Sequence, residues 1–305
     1  MPRVLDLIEI GFRNELDPQG WKMLDQMRRY YVSNPLTSLV RGVAMDTTGF
    51  VYIEDGVIVG NLSLRHALPR DSRGRLIGNV VVDPDHRGQG IGRALMERAI
   101  KAAHQDHADW VGLEVRADNA VACQLYRHLG FRAVGKTEHL IRPGGIGWPN
   151  YPRPDRNWRR SKPKDAVHWR DLATLIHNHD QRRVLEIRTN LYRFGGLERR
   201  ISLWLTRQAE KAWVYEEDEK GISLAAHLEI DRRYRFHAWD ILMRPDLGKA
   251  RAEELIARCL AGSHRLPPWP VVTIVPDQPE LIGALQDIAF QPHRTLQQMM
   301  LELKV

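Results

Sequence analysis

The sequence echoes itself three times, in order, at a spacing of about 160 residues. Phe50-Val51-Tyr52-Ile53-Glu54-Asp55 returns as Trp213-Val214-Tyr215-Glu216-Glu217-Asp218, with Val51 and Val214 163 positions apart. Val82-Asp83-Pro84-Asp85 returns as Met243-Arg244-Pro245-Asp246, the prolines 161 apart, and Gly130-Phe131 returns as Ala289-Phe290, the phenylalanines 159 apart. One such match is within reach of chance, whereas three in sequence at a nearly fixed offset mark a duplication. A duplicated chain of 305 residues folds as two related domains of ordinary size.

Each copy reads in the same coarse order: helices, then strands, then strand–helix–strand–helix–strand. In the first copy, residues 51–53 and 57–64 form a hairpin that turns at Glu54-Asp55-Gly56. Residues 77–82 are a β-branched strand. Residues 90–103 are helical, with Ile91, Leu95 and Ala99 on one stripe that Met96, Ile100 and Ala103 widen. Residues 119–129 form a second helix, with Asp118 as its N-cap and Gly130 just past its end. The expected class is mixed α/β (α+β), each domain a central mixed sheet flanked by helices.

Charge locates the boundary. Of the net +7, residues 1–142 hold 19 basic and 17 acidic side chains, and residues 165–305 hold 20 of each. The 22 residues between them hold six basic and one acidic. That proline- and glycine-rich stretch, PGGIGWPNYPRPDRNWRRSKPK, predicts a solvated linker at 143–164 between domains at 1–142 and 165–305. Its Trp148, Tyr151 and Trp158 suggest a segment that lies against something. Because the excess charge sits in one tether and not across a domain face, nucleic acid is disfavoured as a partner. The contrary reading predicts RNA affinity carried by Arg156, Arg159 and Arg160 with a steep salt dependence.

Cys123 and Cys259 lie in different halves and form no CxxC pair, which excludes a disulfide framework and a cysteine zinc site and favours a reducing compartment. His86 and the pairs His104/His107 and His177/His179 lack carboxylate or cysteine companions at ligand spacing, so no metal is expected. No apolar run approaches the roughly 18 residues that cross a bilayer, and the acidic residues in the opening stretch argue against a signal peptide. The expected location is the cytoplasm, with no membrane partner.

The chemistry concentrates at Val80-Val81-Val82-Asp83-Pro84-Asp85-His86-Arg87-Gly88-Gln89-Gly90-Ile91-Gly92-Arg93. A strand passes through a proline turn into a loop with glycine at every second position, and a helix starts there. Glycines let successive backbone N–H groups converge on one anion, the helix N-terminus adds its positive dipole end, and Arg87 and Arg93 add whole charges. This is a pyrophosphate cradle. It lacks the GK[ST] of nucleotide hydrolases and the third glycine of dinucleotide-binding loops, where Arg93 stands instead.

Arg87-Gly88-Gln89-Gly90-Ile91-Gly92 after V-x-P-x-x resembles the coenzyme A loop, [RQ]-x-x-G-x-[GA], of the GNAT N-acetyltransferases. Leu113-Glu114-Val115-Arg116, Asp118-Asn119-Ala120, Leu125-Tyr126 and Leu129-Gly130-Phe131 follow in the family's order, and are closest in flavour to enzymes that acetylate ribosomal-protein N-termini. The resemblance covers residues 1–142 directly and 165–305 as a degenerate copy. It implies an acetyl-CoA-dependent N-acetyltransferase, with acetyl-CoA as cosubstrate and no metal. The loop backbone of Arg87, Gly88, Gln89, Gly90, Ile91, Gly92 and Arg93 would hold the pyrophosphate. Val80, Val81 and Val82 would pair with the pantetheine arm and offer an oxyanion donor. Asn119 would approach the pantetheine or thioester. Tyr126 would protonate the departing thiolate, and Glu114 would take the proton of the attacking amine. The alternatives to these roles are that Tyr126 only packs, as helical tyrosines commonly do, and that Glu114 is only a solvated strand-edge charge. The implied partners are acetyl-CoA and an amine acceptor (a protein N-terminus, a lysine or a small-molecule amine), with a homodimer as a further candidate assembly.

The second copy departs from the pattern. Asp246-Leu247-Gly248-Lys249-Ala250 keeps one glycine where the first copy has three. Counting back without gaps from Phe290 puts Leu285, Gln278 and Thr273 in the places of Tyr126, Asn119 and Glu114. The expectation is a fold retained without chemistry. An alternative from another class is a non-catalytic acyl-CoA-binding regulator, which would bind the thioester without turning it over.

Overall fold

The computed structural model describes residues 2–13, 16–32, 47–68, 73–147, 158–187, 192–194, 196–217, 221–260 and 266–303. Its contacts divide the chain into two units: Met1–Gly135 with Arg183–Glu186 and Gln297–Val305, and Lys136–Arg182 with Ile187–Leu296. The chain order is α1 (Pro2–Phe12), α2 (Pro18–Val32), β1 (Thr47–Glu54), β2 (Val57–His66), β3 (Gly74–Val82), α3 (Ile91–Gln105), β4 (Trp110–Arg116), α4 (Ala120–His128) and β5 (Arg132–Arg142). Then follow β6 (Trp158–Arg160), α5 (Ala166–Ile176), α6 (His179–Val184), α7 (Leu197–Leu205), β7 (Gln208–Glu217), β8 (Gly221–Asp231), β9 (Phe236–Met243), α8 (Lys249–Leu260), β10 (Val271–Pro276), α9 (Pro279–Gln286) and β11 (Gln291–Glu302).

In the first unit the sheet runs β1-β2-β3-β4 and then takes the C-terminal part of β11. β1, β2 and β3 pair antiparallel, and β3 and β4 pair parallel, as the helix between them requires. Alternation decides what lies on each face. Leu62 and Leu64 of β2 and Val111, Leu113 and Val115 of β4 meet Ile91, Leu95, Met96, Ala99 and Ala103 of α3, the stripe that the sequence spacing predicts. On the other face Val81 packs with Leu7 and Ile8 of α1 and Leu24 of α2. The end of the chain completes this unit. Gln298, Met299 and Met300 are fully buried, and Leu303 donates its N–H to the Asp109 carbonyl at 2.8 Å. Met299 and Leu303 join the α3 core, and Met300 packs with Trp110, Leu76 and Val134.

In the second unit the order is β5-β10-β9-β8-β7-β6. Leu228, Trp239, Ile241 and Val271 of its sheet pack with Ile256 and Leu260 of α8 and Leu281 and Leu285 of α9. Trp158 lies in this core, Arg159 bonds Asp165 and Glu216, and Arg160 sits over the Trp213 ring at 5.1 Å. Those residues of the basic segment are thus engaged in the second unit's own fold. Residues 148–157, with Trp148, Tyr151 and Arg156, lie outside the described residues.

The duplication is visible in backbone detail. The first hairpin of each unit shifts register at matching places, between Tyr52 and Ile53 and between Tyr215 and Glu216. After the third strand of each, Asp83 N–H donates to Val59 at 2.8 Å and Arg244 N–H to Ser223 at 3.0 Å. At the close of the last helix, Phe131 N–H reaches the Tyr126 carbonyl at 3.0 Å and Phe290 N–H the Leu285 carbonyl at 3.1 Å.

One expected cap is corrected. Asn119, not Asp118, caps α4, its Oδ1 accepting the Ala122 N–H at 3.1 Å. Asp118 is drawn instead into a bidentate pair with Arg116, the stronger interaction for a carboxylate. Both cysteines are buried free thiols. Among the described residues no helix is long and apolar enough to cross a membrane, and no cluster of metal-ligating side chains occurs.

Candidate active site

β3 and β4 are paired only at one end. Their register runs from Gly74/Trp110 to Ile77/Leu113, after which β3 continues to Val82 and β4 to Arg116 without each other. A bulge in β3 accompanies the parting. The register with β2 shifts between Asn61 and Ser63, opposite Val81 and Gly78, and Asn79 adopts φ 51°. The bulge is held by side chains, Asn61 donating to the Asn79 carbonyl at 3.0 Å and Asn79 to the Ser63 hydroxyl at 3.1 Å. Beyond it, Val80 and Val82 lean on the α3 core and Val81 on the α1 face. With the side chains taken, what these three residues offer a ligand is their backbone edge.

The glycine loop follows. Asp83 caps a 3-10 turn at 84–86, accepting the Asp85 N–H at 3.1 Å and an ion pair from Arg3 at 2.5 Å. The Asp85 amide, His86 and Arg3 outweigh burial and hold its carboxyl below the usual range. Gly88 and Gly90 take φ 80° and 82°, a region closed to most residues, and open space surrounds the position of a Cβ at each. Gly90 is the left-handed N-cap of α3 and provides no side-chain cap. Among the described residues, none of the N–H groups from Gly88 to Arg93 meets a backbone acceptor. A row of unsatisfied donors at a helix N-terminus, beside open space, is an anion site in waiting. Ile91 can contribute only its backbone, since its side chain is in the core. Arg87 donates to the Val82 carbonyl at 3.3 Å, and Arg93 pairs with Glu97 at 2.9 Å on the exposed face of α3.

The loop adjoins both strand and helix. A Cβ at Gly92 would stand 3.7 Å from Leu125 and 3.9 Å from Val82. One residue beyond Leu125, Tyr126 buries its ring beside Phe131, centroids 6.1 Å apart. Burial, with Cys123 as the smaller cause, pushes its phenol up to about 12, so it stays protonated at neutral pH. On β4, Glu114 is the exposed member of an otherwise buried run, and accepts a hydrogen bond at 2.8 Å from the amide of the fully buried Gln298. Asn119 sits at the head of α4 with its oxygen committed to the cap.

Residues 19–131 match the Acetyltransferase (GNAT) family. The first unit is a GNAT domain. A 53-residue stretch is 49% identical to the [ribosomal protein bS18]-alanine N-acetyltransferase of Escherichia coli K12, covering 17% of this chain and 36% of that enzyme. The chain therefore spans about a third of that relative's length. A tandem GNAT protein from the clavulanic acid biosynthesis pathway, 16% identical, superposes with a TM-score of 0.55 over 84% of this chain and 83% of its own. A GCN5-related N-acetyltransferase from Sphaerobacter thermophilus, 14% identical, gives 0.60 over 92% and 86%. At those identities the likeness concerns the fold, a mixed α/β sheet with helices.

The second unit repeats the GNAT topology with the opening altered. Leu285 does stand in the place of Tyr126, as the shared helix-closing bond indicates, and Gln278 holds the N-cap position of α9 as Asn119 does that of α4, but without a side-chain cap. The count without gaps fails one step earlier, however. The exposed position of β10 is Ile274, not Thr273, and it is Ile274 that matches Glu114. The turn between strand and helix is a residue shorter there, which a gap-free count cannot register. β9 has no bulge, and its parallel ladder with β10 extends through Asp240/Ile274. The Gln278 amide then reaches the Met243 carbonyl at 2.9 Å and ties α9 to the end of β9. In both units the parallel ladder spans four register pairs and then ends; in the second, Gln278 also ties the following helix to the end of β9.

Proposed function

We propose that this chain is an acetyl-CoA-dependent N-acetyltransferase with one working site, in the GNAT domain, that transfers an acetyl group directly to a primary amine. The observation that carries this reading is the row of unpartnered N–H groups from Gly88 to Arg93, beside the parting of β3 from β4. Acetyl-CoA brings an acetyl carbon already activated as a thioester. The loop amides bind its pyrophosphate, and the backbone edge at 80–82 aligns its arm and offers an N–H to the carbonyl oxygen as charge develops there. Glu114 takes a proton from the acceptor nitrogen as that nitrogen bonds to the acetyl carbon. The carbon–sulfur bond breaks, and Tyr126 gives its phenolic proton to the leaving sulfur. The products are an N-acetyl amine and free coenzyme A. No covalent enzyme intermediate is needed, in keeping with the burial of both cysteines.

The acceptor is a protein N-terminus, a lysine or a small-molecule amine. The resemblance to an enzyme named for an alanine acceptor makes a peptide beginning with alanine the first to try. The test is mass spectrometry of products from a pool of such peptides, lysine peptides, polyamines and small amines incubated with acetyl-CoA. One class gains an acetyl group, with coenzyme A released in equal amount. Binding of acetyl-CoA with no acetylated product from any class would make the protein a regulator and not an enzyme.

A further inference from the structure

Among the described residues, Gln298 brings a polar side chain from the end of the chain to Glu114, a proposed reacting group. It is fully buried, it lies in the stretch Gln297–Val305 that belongs to the GNAT domain, and its Nε2 donates to Glu114 Oε1 at 2.8 Å. That length is in the range of charge-assisted hydrogen bonds, and a buried amide has little freedom to turn away. Its neighbours fix it further. Met299 and Met300 are fully buried on either face of the strand, and Leu303 is bonded through its N–H to Asp109.

The duplication supplies an internal control. Counting from Phe131 and Phe290, the residue of β5 that corresponds to Gln298 is His139, and in the second unit His139 is the register partner of Ile274. Ile274 is the residue that stands for Glu114. The same two places therefore hold carboxylate and amide in one copy, and an alkyl chain and a histidine in the other. Burial, helped by Arg294 and His293, drives that histidine down to about 3, so it stays neutral. Where the carboxylate is lost, the amide is lost with it.

We infer that Gln298 is a positioning residue that holds the Glu114 carboxylate in the orientation from which it takes the amine proton, so that the last strand of the chain completes the GNAT domain's site. The inference rests on the reading of Glu114 as the base. It gives the C-terminal sequence a role in turnover although its own half of the chain lacks the machinery.

The test is a double-mutant cycle on the full chain, with acetyl-CoA and the amine acetylated best in the pool. Glu114→Gln lowers kcat by about 100-fold or more. Gln298→Met, close in length but without the N–H, lowers kcat by about tenfold and leaves the KM for acetyl-CoA unchanged. Combined, the two give no more loss than Glu114→Gln alone, because the amide acts only through the carboxylate. If Gln298→Met also lowers the melting temperature, Gln298→Asn, which withdraws the amide by one methylene, takes its place with the same expected pattern. Wild-type kcat in the Gln298 variants, a rise in KM in place of the fall in kcat, or losses that multiply in the double variant would overturn the positioning role while leaving the base in place. Wild-type kcat in Glu114→Gln would overturn the base and the inference together.

Discussion

Tyr126→Phe lowers kcat by about 100- to 1,000-fold with the KM for acetyl-CoA and the melting temperature unchanged. The magnitude is that of removing a positioned general acid. The substitution isolates the hydroxyl: the ring is buried against Phe131, 6.1 Å between centroids, and phenylalanine keeps that packing. Burial raises the phenol to about 12, so it carries its proton through the neutral range and has one available for the proposed transfer to the leaving sulfur. Steady-state kinetics of the pair decide between the two readings of this residue. A tyrosine that only packs predicts full activity in the phenylalanine variant. Leu285, its counterpart in the second unit, shows that the same helix closes with no hydroxyl at all.

Ending the chain at Leu296 unfolds the GNAT domain. The truncation removes Gln298, Met299 and Met300, all fully buried, and the 7% exposed Leu303. Emptying the place of a single buried methionine or leucine costs about 2–5 kcal/mol, and a domain's whole stability is about 5–15 kcal/mol. Losing three such side chains together with a strand beside β4 exceeds what the domain can absorb. Limited proteolysis with mass spectrometry reads the effect by region. In the truncated chain, residues 74–135 become cleavable under conditions where the intact chain protects them. Continued protection of that region would mean that the C-terminal strand is an accessory to this domain and not part of its core.

The sequence carried the fold class, the duplication and the loop, because each is written in local spacing. Gly88 and Gly90 adopt the positive φ that their pattern implies, and the α3 stripe is buried as its period predicts. What local spacing could not carry were matters of partner. The strand Gln291–Glu302 reads as a strand, but nothing in it says that Met299, Met300 and the following Leu303 join the first unit's cores. The Gln278 bond to Met243 joins residues 35 apart, and it turns a residue that the sequence marks only as a substitute for Asn119 into a fastener. A one-residue difference in a turn moved the counterpart of Glu114 from Thr273 to Ile274, which burial alternation reveals and residue counting does not. Asp118 and Asn119 are both good N-caps by type, and Arg116 decided between them.

Calorimetric titration of acetyl-CoA into the full chain, beside the Gly90→Val variant, tests the central claim most directly. The valine has room for its side chain but not for a φ of 82°, so it displaces the row of N–H donors without disturbing a packed neighbour. The account predicts one equivalent bound per chain, weakened by about tenfold or more in the variant. No binding, two equivalents, or an affinity indifferent to Gly90→Val would contradict it.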